Sequence, residues 1–75
     1  LDKELLEVLR LLRLRLAEQQ AIPPYIVLTD KTLHLLATQR PTTIEEFGTI
    51  SGIGEYKKEK YGKDFVDAIN NFLNR

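Results

Sequence analysis

Residues 49–62 read TISGIGEYKKEKYG, in which two glycines flank an isoleucine and a lysine-rich run follows. Glycine adopts backbone conformations that other residues avoid, so Gly52 and Gly54 predict a tight turn from one helix into the next. A single or double helical turn is expected after them, closed by Gly62 as a left-handed residue just beyond the helix end. A second interpretation is also open, because free amides at a helix start attract a closely approaching phosphate.

The segments on either side of this turn have helical patterns. Upstream, TTIEEF contains a capping box, in which Thr43 accepts from the Glu46 amide and the Glu46 carboxylate reaches back to the Thr43 amide. The residues of this short helix that are expected to face inward are Ile44, Phe47 and Ile50. Downstream, KDFVDAINNFLNR predicts a closing helix whose apolar residues recur at helical spacing.

The first forty residues predict two further helices, separated by a proline-rich segment. Leucines cover so much of the helix predicted over residues 1–20 that we expect it to be packed on two sides. Its charged side chains, Arg13 among them, are expected on a solvated face. The helix must end before Pro23-Pro24, so IPPYIVLTD is predicted to be an extended or 3₁₀ crossing segment. Thr29 and Asp30 are suitable N-caps for a helix over KTLHLLATQR.

Composition limits the classes of protein to consider. No strand pattern competes with the helices, so we predict a single all-α domain over residues 1–75, and the start at Leu1 is typical of a domain cut from a longer protein. Cysteine is absent, which excludes disulfide frameworks and cysteine-based zinc sites and is compatible with a reducing compartment. Eleven basic and eleven acidic residues cancel, so any nucleic-acid binding should be local and weak. The longest apolar run, YIVL, is far too short to span a membrane.

No catalytic, metal-binding or cofactor-binding residue is predicted. His34 is the single imidazole, and its place in a leucine stripe indicates a solvated or structurally bonded side chain. Ser51 has no base in its neighbourhood, although nucleophilic catalysis needs one within hydrogen-bond reach. The paired carboxylates near the end of the chain lack the burial and additional ligands that acid–base or metal chemistry requires.

Binding to nucleic acid has more candidates. Lysines follow the glycine turn and form a locally basic cluster, which consists of Lys57, Lys58, Lys60 and Lys63; the first three are the candidate phosphate contacts. Lys31, near the first turn of an earlier helix, is a further candidate phosphate contact. Tyr25 follows two stiff prolines, so its ring is predicted to point outward, where it can stack on a base. Plainer interpretations stay open: solvated surface lysines, and a tyrosine packed over the first helix.

In this order and spacing, the motifs closely resemble the HRDC domain, the helicase-and-RNase-D C-terminal module. The resemblance covers nearly the whole chain: the leucine-rich first helix, PPY, the aspartate-capped second helix, RPTT, SGIG, KxxxYG and the closing helix. Each motif alone is weak, and their succession is specific. The intact PPY is more similar to bacterial RecQ-type helicases than to RNase D.

The resemblance implies a compact, monomeric bundle of about five helices in a bacterial, nucleoid-associated cytoplasmic protein. It implies an accessory role, in which the domain helps a DNA helicase engage single-stranded or branched DNA. Contacts with DNA are implied for Tyr25, Lys57 and the glycines of SGIG. ATP hydrolysis is expected elsewhere in the parent protein, since no GxxxxGK[ST] loop is present.

Two alternatives stay open beside this reading. In one, the domain docks on the helicase core or on another protein and binds DNA negligibly, which the zero net charge favours. In the other, the parent is an RNase D-type nuclease. Three residues depart from the family pattern: Lys58 stands where an apolar residue is usual, Gly48 replaces a leucine, and Lys31 replaces an alanine.

Overall fold

In the computed structural model, which describes residues 1–75, the chain forms five α-helices and no strand. The helices are α1 (Lys3–Gln20), α2 (Pro24–Val27), α3 (Asp30–Gln39), α4 (Ile44–Gly48) and α5 (Gly54–Leu73). The two long helices pack against each other, α2 and α3 pack on α1, and α4 packs on α5. None of the helices is long and apolar enough to cross a membrane. The predicted all-α fold with about five helices is confirmed.

Local sequence explains both ends of α1. The Asp2 carboxylate accepts a hydrogen bond from the Leu5 amide at 3.0 Å, which satisfies one of the free N–H groups at the helix start. The helix ends where Ala21 turns into the left-handed region, with φ of 55°. Pro23 follows in an extended conformation and prevents the helix from continuing.

The PPY segment differs from the prediction. It forms one turn of α-helix, α2, whereas an extended or 3₁₀ conformation was expected. Pro24 stands at the first helical position, where its missing N–H would have no partner in any case. The flanking residues Pro23 and Leu28 are extended, so the prediction holds only for the two ends of the crossing.

The expectation that Arg13 lies on a solvated face is wrong. Its side chain is only 12% exposed, because the guanidinium reaches across to the join between α2 and α3. There it donates to the Leu28 carbonyl at 2.9 Å and lies 2.8 Å from the Asp30 carboxylate. This contact holds the pKa of Asp30 below its usual value and ties the middle of α1 to the start of α3.

Gly62 is not the left-handed end of a short helix, as the sequence predicted. It lies in the middle of α5, which runs without interruption from the glycine turn to Leu73. A Cβ placed on Gly62 would come within 3.3 Å of Ile44 Cγ2 and 3.7 Å of Phe47 Cδ2. The missing side chain therefore allows α4 to approach α5 closely. Phe47 stacks on Phe65 at this crossing, with ring centroids 5.9 Å apart.

The inward-facing residues predicted for α4 are confirmed in part. Phe47 and Ile50 are buried, whereas Ile44 is 39% exposed at the edge of the crossing. Ile44 still contacts α5, because it covers the space beside Gly62.

One of the two hydrogen bonds predicted for the capping box of α4 is confirmed, and the other has a different donor. The Thr43 hydroxyl accepts from the Glu46 amide at 3.1 Å, as predicted. The Glu46 carboxylate accepts from the amide and hydroxyl of Thr42, at 2.9 and 3.2 Å, where the Thr43 amide was expected to donate. These hydrogen bonds favour the charged carboxylate and lower the pKa of Glu46.

A Glu46→Gln variant tests this cap through its pH dependence. A pKa that is lower in the folded state adds stability above the unfolded value of 4.5, and this stability is lost as the pH falls through the folded value. We expect the difference in unfolding free energy between wild type and Glu46→Gln, measured by urea denaturation, to shrink as the pH is lowered through that window. Glu45→Gln, on the same exposed turn, is the control. A difference that does not change with pH would contradict the assignment.

Candidate nucleic-acid interface

The turn between α4 and α5 is anchored by the start of α3. Thr32 is buried, at 3% exposure, and its hydroxyl donates to the Ser51 carbonyl at 3.1 Å. Gly52 has a φ of 94°, and a Cβ on it would overlap the Thr32 hydroxyl oxygen. Only glycine therefore fits at this position, both for its backbone angle and for its space. The prediction of a tight interhelical turn is confirmed.

The start of α5 follows directly from this turn. Gly54, its first residue, has a φ of 65° and open space around it. No side chain caps the helix, because Ile53 stands at the capping position. The first amides of α5 therefore have no side-chain acceptor, which is the condition under which a helix start attracts an anion.

Three contacts gather the predicted residues around the C-terminal half of α1. The Gln20 amide donates to the Tyr61 hydroxyl at 2.9 Å, which joins the end of α1 to α5. Arg13 holds the join between α2 and α3, and Thr32 holds the turn that precedes α5. The start of α3 thereby lies against the turn before α5, while α2, α3 and α5 each contact α1.

The predicted residues of α2 and α3 are accessible. Tyr25 is 62% exposed, so the prediction of an outward ring is confirmed, while its stacking on a base stays a prediction. Lys31 is exposed on the first turn of α3. It stands beside Asp30, whose charge is already balanced by Arg13.

Lys58 is half-buried, because its methylene groups lie over Gly48. A Cβ on Gly48 would be 2.6 Å from Lys58 Cδ. The two departures from the family pattern thus compensate for each other, since the glycine leaves a space and the lysine stem fills it. Long lysine side chains commonly cover apolar surface in this way and keep the ammonium in water. Part of the side chain is engaged in packing, which the predicted phosphate contact did not take into account.

Lys57 and Lys60 lie three residues apart on α5 and therefore share a face of the helix. Lys57 is half-buried and Lys60 is exposed. The Lys60 ammonium donates to the Tyr56 hydroxyl at 3.1 Å and lies 5.4 Å from the Tyr56 ring centroid and 5.6 Å from that of Tyr61. The hydrogen bond to Tyr56 raises the pKa of Lys60.

Tyr56 is a candidate that sequence reasoning missed. It is 70% exposed and stands in the middle of the basic cluster. The spacing of four residues between Tyr56 and Lys60 indicates a contact only if the helix is continuous. The turns predicted between Gly54 and Gly62 contain both residues, so this spacing was a signal that could have found Tyr56.

The charge of this face of α5 changes sign along the helix. Lys57 and Lys60 occupy its first two turns, and Asp64 and Asp67 follow at helical spacing on the same side. The basic surface is therefore confined to the start of the helix, which agrees with a chain of zero net charge.

Comparisons with known proteins agree on one family. The model of the HRDC domain family matches residues 2–69. Two curated relatives are the ATP-dependent DNA helicase RecQ of Haemophilus influenzae, 43% identical, and the ATP-dependent DNA helicase UvrD2 of Mycobacterium bovis, 41% identical. Each match covers 91% of this chain but only 11% and 10% of the relative, so the chain spans about a tenth of the length of these proteins.

A solved structure gives the same result. D. radiodurans RecQ HRDC domain 3 is 36% identical and superimposes with a TM-score of 0.94, over 99% of this chain and 97% of that one.

The pairing of Gly48 with Lys58 is tested by a double-mutant cycle. Gly48→Leu should displace the lysine stem and destabilise the wild-type background by about 1–3 kcal/mol through overpacking. In a Lys58→Ala background the leucine has room, so the two substitutions should be non-additive by at least about 0.5 kcal/mol. Urea denaturation of the four proteins measures this coupling, and strictly additive effects would contradict the contact.

Proposed function

The chain belongs to the HRDC domain family, and from that premise we propose that it is an accessory, non-catalytic module of a RecQ-type DNA helicase. In this proposal the domain binds single-stranded or branched DNA weakly and helps to direct the helicase to its substrate. It acts in the bacterial cytoplasm, where such DNA arises. ATP hydrolysis takes place in another part of the parent protein.

One observation carries this proposal: the chain exposes a tyrosine on α2 and exposed or half-exposed lysines on α3 and α5. Tyr25 stands on α2, which packs on α1, and Lys57 and Lys60 stand on the first turns of α5, which packs on the same helix. An aromatic ring can stack on the face of any base, and lysine neutralises phosphate whatever the base sequence is. This combination is suited to a single strand whose sequence varies.

The remaining candidate residues contribute to the proposed DNA binding to different degrees. Lys31 adds a phosphate contact from α3, and the uncapped amides that follow Gly54 can donate hydrogen bonds to a phosphate oxygen. Lys58 contributes less, because its stem covers Gly48. Gly52 acts indirectly by shaping the turn. Tyr56 offers a second ring beside Lys60.

The charge distribution supports weak and salt-sensitive binding. With three or four lysines on phosphates of a single strand, the logarithm of the affinity should fall with the logarithm of salt concentration at a slope of about −2 to −3. The aspartates that follow on α5 repel phosphate, so the strand should not extend along the whole helix.

A helicase parent is favoured by the relatives, since both proteins named above are called ATP-dependent DNA helicases. An RNase D-type parent is the alternative. The fold alone does not distinguish between them, because function resides in sites and not in the fold.

Fluorescence anisotropy of a labelled single-stranded oligonucleotide tests the proposal. We expect binding in the micromolar range at low salt that weakens as salt is added. A Tyr25→Ala/Lys57→Ala variant should lose at least about ten-fold in affinity, because one stacking contact alone contributes about 1–3 kcal/mol.

Lys3→Ala is the matched control, since Lys3 is exposed at the far end of α1. It should change the affinity much less than the double substitution does. No binding by the folded wild type at low salt would contradict the proposal.

A further inference from the structure

One face of α1 has no partner within the domain. The sequence predicted that this helix is packed on two sides; α5 packs on it, as do α2 and α3, and a further face stays uncovered. Leu5 and Leu9 are fully buried, but Leu11 is 68% exposed, Leu14 45% and Val8 37%. Leucines this exposed on a single helix face are typical of an interaction site.

A groove runs beside this face, between α1 and α5. Its volume is about 420 Å³, and Leu12 and Ala68 lie at its base. Val8 and Leu11 line it from α1. Clefts of this size that combine apolar lining with a few polar groups are typical binding sites.

The two rims of the groove differ in charge. Asp64 and Asp67 line it from α5, whereas Arg15 lines it from α1. Neither Arg15 nor Asp64 forms an ion pair within the domain. Asp67 has only the exposed Lys63 as a partner, at 2.8 Å, and exposed pairs of this kind contribute little. The two carboxylates of the α5 rim and the single guanidinium of Arg15 on the α1 rim are thus available to a ligand.

We propose that this groove binds an amphipathic helix from another protein segment, one with basic residues along one edge. The apolar residues of that helix would cover Val8 and Leu11, with anchors spaced three, four and seven residues apart. Its lysines or arginines would face Asp64 and Asp67, and an acidic residue on its other edge would face Arg15. This inference does not rest on the proposed DNA binding, which uses the first turns of α5, whereas the groove lies beside its later turns.

Two other ligands, DNA and a second copy of this chain, would fit the charges that line the groove less well. DNA would bring phosphates toward Asp64 and Asp67, which repel them. A second copy of this chain would bring its own α1, whose exposed apolar face is bordered by glutamates, namely Glu4, Glu7 and Glu18. Those glutamates would meet the same two aspartates, so self-association is disfavoured.

A pair of synthetic helical peptides tests the proposal on the whole domain. One carries leucines on one face, with lysines on one edge and glutamates on the other. Its twin has the same leucines but glutamates on both edges. Measured by isothermal titration calorimetry at moderate salt, the lysine peptide should bind at least about ten-fold more tightly than the twin.

Substitutions in the groove test the same proposal through their effect on peptide binding. Leu11→Ser should weaken binding of the lysine peptide, and Asp64→Lys/Asp67→Lys should reverse the preference between the two peptides. Ile26→Ser, which removes an exposed apolar side chain outside the groove, should change neither. All of these positions are exposed, so circular dichroism should report an unchanged fold.

Three results would overturn the proposal: equal binding of the two peptides, no binding of either, or a concentration-dependent dimer that Leu11→Ser abolishes. The last result would assign the groove to a second copy of the chain. Since Leu11 lies outside the proposed DNA contacts, Leu11→Ser leaves oligonucleotide binding as an independent measurement.

Discussion

The hydroxyl group of Thr32 joins parts of the chain that are far apart in sequence. It is almost fully buried and donates to the Ser51 carbonyl at 3.1 Å, while the Thr32 amide donates to the Thr29 hydroxyl. A buried hydroxyl without such an acceptor would cost about 1–3 kcal/mol. Because Gly52 leaves room for this hydroxyl, the turn closes against α3 and sets the place where α5 begins. The positions of Tyr56, Lys57 and Lys60 in the candidate interface depend on where α5 begins.

Local chemistry in the sequence predicted most of the helix boundaries. Thr29 and Thr43 cap α3 and α4 as expected, and the turn at Gly52 is where the glycines indicated. The failures concern residues whose role is non-local. Gly62 has the local appearance of a helix end, and only the close approach of α4 explains why it lies inside a continuous helix. Arg13 has the spacing of a surface charge, and only the position of Leu28 explains its burial.

The candidate site was predictable as a set of residue types but not as a surface. Tyr25 was predicted to point outward because the prolines before it restrict the backbone, and it does. Lys58 was assigned to phosphate on its charge alone, and its packing over Gly48 required knowing that α4 crosses α5 at that position. Tyr56 was missed although its contact with Lys60 spans only four residues within the turns predicted before Gly62.

A net charge of zero conceals a separation of charge along α5. Its first turns carry lysines beside the exposed Tyr56, and its later turns carry aspartates beside an apolar groove. Such a molecule can present two surfaces of different chemistry without an overall charge. Coulombic attraction is screened over about 8–10 Å at moderate salt, so each surface acts mainly on the ligand nearest to it.

The most direct test of this account is an NMR titration of the ¹⁵N-labelled domain with a short single-stranded oligonucleotide. The account predicts amide shift changes in α2, in the first turn of α3 and in residues 52–60, with little change around Asp64, Asp67 and Leu11. Shift changes centred on the groove between α1 and α5, or none at all at saturating oligonucleotide and low salt, would contradict it.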